Sequence, residues 1–346
     1  QHAVKQRRAV DFADLITRAR TLLAEDAGVR AETQARVDDQ LLKIAGDIGI
    51  TADQLASILA NIKSTVETSQ TGVNVVIATN TVLNNARSWM DNTLATTHRV
   101  TGKPALGDIN VSAFNRGRIV AVLESTVEAS SAVGVTLAFN TIGYAPQNLF
   151  ANMADSVLGT SFGAPNTSAT QAGIRGSQLS AAGSVNVLAD WAGSIYAEIS
   201  GSAVAISASA KPRDSEGALT IAPVVAMNKI AADVEAVIDE AKPVLAGGSI
   251  TVLTKSRTRI ESKVSASAVA VAAGAKGAKA ISVGLSLARN DILSDAEASI
   301  QGAGALLQAG GEVVLDVAAE ELLQERAQEA ALVLGYEPLA VDLDVA

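Results

Sequence analysis

The sequence contains no cysteine, which removes disulfides, thiolate nucleophiles and thiolate metal ligands together. Its two histidines, His2 and His98, leave almost no imidazole for base catalysis or metal ligation. Aromatic residues make up 3% of a chain that is 48% hydrophobic, so the core has to be assembled from Ala, Val, Leu and Ile. Side chains of that size suit thin, stacked layers. Long apolar runs are missing too: the longest small-apolar stretch, Ala266 to Ala275, is interrupted by Ser267 and Gly274 and falls short of the ~20 residues a membrane helix needs. With 27 glycines, 7 prolines and 18% charged residues in 346, the composition is neither collagen-like nor disordered, and the chain is expected to fold.

Positive charge is scarce. Lys and Arg total 27 against 36 Asp and Glu, a net charge of -9, which argues against a nucleic-acid partner. The basic cluster Lys5, Arg7 and Arg8 is followed at once by Asp11 and Asp14 and reads as a solvated helix end. Nucleotide-binding signatures are absent: there is no G-x-x-x-x-G-K-[ST] and no G-x-G-x-x-G between a strand and a helix. The G-G-x-G-x-D calcium motif is missing as well, since Gly247-Gly248 leads to Ser249-Ile250 and Gly310-Gly311 to Glu312-Val313. No catalytic, cofactor or metal residue is assigned, His98 is read as a surface-loop residue, and a non-enzyme is expected. No targeting or transmembrane segment is evident, and the start at Gln1 suggests a mature product or a piece of something longer.

Residues 1–55 look helical. Val10, Phe12, Leu15, Ile16, Ala19, Leu22 and Leu23 recur at helical spacing, and Val37, Leu41, Leu42, Ile44 and Ala45 form a second such run. Thr51 with Gln54 resembles a capping box opening a third helix through Leu55 and Ile58. This segment is expected to cap the structure that follows or to run beside it as a linker. A helix-like stretch, Glu320 to Leu334, recurs in a C-terminal segment, 319–346.

An internal repeat organises the residues between. The pattern A-x-N-x-[IV] occurs four times, at Asn80, Asn140, Asn228 and Asn290, spaced 60, 88 and 62 residues apart. Alternating apolar and small residues, as in Gly134-Val135-Thr136-Leu137, precede each copy and mark a strand. A glycine signature follows each at Gly107, Gly183, Gly248 and Gly311, turning the chain into another strand. A period near 62 residues divides into three coils of roughly 20, close to the coil length of parallel β-helices. On that division the four asparagines sit three rungs apart and read as turn residues that satisfy local backbone groups, unable to form one ladder.

The strings A-V-G-V-T-L-A-F-N-T-I at Ala132 to Ile142 and A-A-G-S-V-N-V at Ala181 to Val187 resemble the degenerate repeats of very large bacterial surface proteins, the haemagglutinin-like and autotransporter-like adhesins. The resemblance covers about residues 57 to 318. It implies a right-handed parallel β-helix, here of about four repeats over 56–318, with a structural or adhesive role outside the cell or on its surface. A stalk, filament subunit or adhesin fragment is the expected function, with self-association or neighbouring subunits as partners. A glycan-binding or glycan-cleaving β-helix is the alternative.

The long asparagine spacing points to an insertion of about 23 residues within roughly Tyr144 to Thr170. It gathers Tyr144, Phe150, Met153 and Phe162 from an aromatic-poor chain, and such residues are enriched at interfaces. We read the loop as a candidate interaction site. The densest acidic group, Asp233, Glu235, Asp239 and Glu240, is where paired carboxylates for glycan cleavage would be sought. It reads as a solvated edge.

Overall fold

The computed structural model describes residues 28–102, 106–145, 165–209, 216–274, 278–302 and 307–334. All regular structure among them is strand. A first sheet is built from Gly28–Asp38 (β1), Thr71–Asp91 (β4), Ser131–Ile142 (β7), Ser168–Arg175 (β8), Glu216–Asp239 (β11) and Ala278–Gln301 (β14). A second, narrow sheet contains Leu41–Ala45 (β2), Leu94–His98 (β5), Gln178–Ala181 (β9), Val244–Ala246 (β12) and Leu307–Ala309 (β15). The third comprises Ile48–Glu67 (β3), Ile109–Ala129 (β6), Val185–Ser209 (β10), Ile250–Gly274 (β13) and Val313–Leu334 (β16). Every strand pairing within these sheets is parallel.

The chain passes through the three sheets in the same order again and again, and register is kept throughout. In the third sheet Ile48, Ile109, Val185, Ile250 and Val313 lie side by side. One repeat therefore lays down one strand per sheet, not three coils of 20 residues. The reason is strand length: β3 has 20 residues and β10 has 25, so two long strands and a short one use up the period. At about 3.3 Å per residue such strands run roughly 65 Å, while five strands at ~4.8 Å spacing stack only about 20 Å high.

Toward both ends the described residues depart from the helical expectation. Residues 37–45 fall in β1 and β2, and 51–58 lie inside β3, whose Ile48, Ile50, Ala52 and Ala56 are buried at every second position. Apolar residues three or four apart fit either period over so short a window, and pairing with β6 decides for strand. The stretch 320–334 is likewise strand, paired with β13 up to Val271 opposite Leu334. The apolar run 10–23 lies outside the described residues.

The first and third sheets face each other across an alanine-, valine- and isoleucine-rich core. Trp191 is fully buried in this core, its indole N–H donating to Thr258 Oγ1 at 3.3 Å. Gly193 follows on the same face, and Gly117 is its partner in β6. A Cβ on Gly193 would come within 2.7 Å of the indole, so glycine there leaves room for the ring. At the far end the core is mostly alanine, and the two sheets close on small side chains.

The asparagines depart from the turn expectation. Asn80, Asn140, Asn228 and Asn290 sit mid-strand in the first sheet, facing inward, and form one continuous ladder. Asn80 Nδ2 donates to Asn140 Oδ1 at 2.7 Å, Asn140 to Asn228 at 2.7 Å, and Asn228 to Asn290 at 2.8 Å. Because each repeat is a single pass, equivalent residues are adjacent, and side-chain amides at strand spacing bond to one another. The glycines lie between strands: Gly107 at φ +81° before β6, Gly183 before β10, Gly248 before β13 and Gly311 before β16.

Candidate interaction face

In most half-buried strands the residues pointing away from the core are polar. The first half of the first sheet breaks this pattern. Asn74, Val76 and Ala78 of β4 are buried inward, so Val73, Val75 and Ile77 face outward, and they are exposed. Register extends these positions across the sheet: Val73 meets Val133, Ile221 and Val283, while Ile77 meets Leu137, Val225 and Leu287. The result is a broad apolar outer face. Further along the same strands Leu137, Phe139 and Met227 are only 6%, 2% and 1% exposed although they point outward.

The insertion leaves the sheet beside this buried patch. β7 stops at Ile142 opposite Ile230, and β8 resumes at Ser168 opposite Ala232, so β11 runs unbroken past a strand cut in two. Gly143, at φ +75°, makes the exit, and a Cβ there would collide with the carbonyl of Ala231. A polar network holds the splice together. Ser168 Oγ donates to Asn84 Oδ1 at 3.0 Å, the Ala169 amide donates to Asn85 Oδ1 at 2.9 Å, and Asn115 Nδ2 donates to the Asn84 carbonyl at 3.0 Å.

Of the four loop residues singled out in the sequence, Tyr144 is placed and buried, with a single antiparallel bridge to Pro165. Phe150, Met153 and Phe162 lie outside the described residues. Lys229 Nζ stands 5.5 Å from the centre of the Tyr144 ring and 3.3 Å from Asp291 Oδ2, which Arg289 also contacts at 3.2 Å. Burial pushes the Tyr144 phenol above its ordinary pKa, and the Asp291 carboxylate adds to the rise.

Beyond Tyr144 the outer face turns acidic. Asp233 lies beside Asp295, and Glu235 beside Glu297, one strand apart. Burial raises the Asp233 carboxyl above the usual range, with Asp295 adding to it and Arg87 opposing. Burial also raises Glu235, with further contributions from Asp233 and Glu297, while Gln171 Nε2 donates to it at 3.1 Å and opposes the rise. Asp233 and Glu235 are half-buried rather than freely solvated, while Asp295 and Glu297 are exposed. Asp239 is half-buried and pairs with Arg175 at 3.4 Å, and Glu240 is exposed in the turn that follows. The Arg175 guanidinium in turn covers the Trp89 ring at 4.7 Å, and Trp89 lies flat over Gly173, where a Cβ would overlap it.

His98 ends strand β5 rather than lying in a loop, and it is exposed. Among the described residues no group of three or more His, Asp and Glu side chains is placed to hold a metal ion. No described helix is long and apolar enough to cross a membrane. Sequence reasoning missed the apolar outer face, and the signal was Val73 to Ala78, where Val, Ile and Ala fill both faces of a strand apart from Asn74. No protein-family model, curated protein or solved structure matches the chain.

Proposed function

We propose that this chain is part of a right-handed parallel β-helix with a non-enzymatic, structural or adhesive role at the cell surface or outside the cell, as a stalk, filament subunit or adhesin fragment. The observation that carries the reading is the in-register stacking of successive repeats, with four equivalent asparagines joined in one buried ladder. Identical positions in identical environments are what a stacked array needs, since each repeat buries its faces only against its neighbours. Partners, whether further copies or neighbouring subunits, engage the apolar outer face around Val73, Val75 and Ile77 and the insertion that carries Phe150 and Phe162. The test of location is protease shaving of intact producing cells followed by detection of the chain. Loss of signal without lysis is expected, and full protection would refute a surface role.

The glycan-cleaving reading is favoured by one observation, the pairing of Asp233 with Asp295 and of Glu235 with Glu297 across adjacent strands, with Asp233 and Glu235 both raised. A carboxyl of raised pKa with a second carboxylate nearby is what glycoside hydrolysis requires. Release of reducing sugar from soluble polysaccharides, abolished in Glu235→Gln, would favour it over the structural reading.

A further inference from the structure

The asparagine ladder has a direction. Asn80 donates to Asn140, Asn140 to Asn228, and Asn228 to Asn290, each time through Nδ2 into Oδ1. Asn290 accepts at Oδ1 from Asn228 and from Ser262 Oγ at 2.9 Å, but its own Nδ2 is buried without a hydrogen-bond partner, the residue being 9% exposed. A buried amide donor left unmade is costly. This donor sits on β14, which pairs with β11 on one edge and with nothing on the other among the described residues. On β16 Val313, Leu315 and Val317 stand in register with the buried Ile250, Val252 and Thr254 of β13, yet they are 50%, 48% and 44% exposed. Core-facing side chains and a ladder donor are thus open at the same end.

We propose that this end is a docking surface for one further turn of the same repeat, a turn that carries an asparagine at the ladder position and offers its Oδ1 to Asn290. The proposal rests on the stacked β-helix reading and names the occupant that reading leaves open.

The test duplicates residues 272–334 in tandem after Leu334 within the full chain, because Val271 and Leu334 are register partners and the copy therefore continues in phase. Hydrogen exchange of the β14 amides should slow at least tenfold in the duplicated chain. Replacing the copied asparagine by Leu should lower Tm relative to the intact duplication. Independently, Asn290→Leu should cost the parent chain less than Asn140→Leu, whereas in the duplicated chain the two should cost alike. Unchanged exchange in β14, a Leu-bearing copy as stable as the asparagine one, or equal costs already in the parent would each overturn the proposal. Rapid exchange of β10 and β13 in the parent would remove the β-helix reading itself and the proposal with it.

Discussion

Replacing Asn140 with Leu isolates what the ladder contributes. The side chain is fully buried and bonded on both sides, so a substitute of similar size keeps the packing and removes two hydrogen bonds. Asn80 Nδ2 loses its acceptor, and Asn228 Oδ1 loses its donor. Each orphaned buried group costs about 1–3 kcal/mol, which sets the expected loss at roughly 2–6 kcal/mol. Replacing all four ladder residues by Leu leaves no orphan within the ladder, so that variant should lose far less than four times the single change, since removing both partners of a bond is nearly neutral. Urea unfolding followed by far-ultraviolet circular dichroism measures both. A single-site loss below about 0.5 kcal/mol, under the usual net value of one hydrogen bond, or strict additivity in the quadruple variant, would refute the reasoning.

Trp191→Ala should cost about 3–5 kcal/mol in the same assay, because a fully buried indole leaves a cavity that the closely packed sheets cannot collapse into. Gly173→Val should displace Trp89 from its seat and break its stacking with Arg175, seen as a red shift in tryptophan emission with Trp191 unaffected. The raised carboxyls of Asp233 and Glu235 give a signed pH effect: a folded-state pKa above the unfolded value contributes stability that is present below the ordinary carboxylate range and lost as pH rises through the raised value. Tm should therefore fall as pH rises from about 4 toward neutral, and the Asp233→Asn, Glu235→Gln double variant should flatten that slope and melt higher at neutral pH. Replacing Phe150 and Phe162 together by Ser should weaken partner association in sedimentation while leaving Tm nearly unchanged; a large drop in Tm with association intact would make the insertion a cover for its own sheet.

Much of this molecule is legible in its residues. The A-x-N-x-[IV] copies and the glycine signatures mark equivalent positions, and the asparagine copies turn out to be strand partners, because a repeat that recurs in sequence recurs in environment. The insertion is equally visible, since the excess between Asn140 and Asn228 matches the stretch where β7 is cut from β8. Composition settles that the core is thin, and Ala132, Ala203, Ala205 and Ala268 show it, packed where aromatics would not fit. Sequence could not say how many strands a repeat spends, for alternation reports which face a residue takes and not how far a strand runs before it turns. That length decided the rest. With strands of more than 20 residues, one repeat became one pass, so Asn80, Asn140, Asn228 and Asn290 came into bonding distance instead of standing apart as turns. Pairing also overrode local preference at both ends, where β3 and β16 take strand form because β6 and β13 offer a full row of backbone partners that a helix would leave unmet. Which carboxylates crowd together is likewise tertiary: Asp233 and Asp295 are far apart in the chain and neighbours in the sheet, and the burial of Asp233, with the Asp295 charge beside it, weakens the first as an acid and raises its pKa.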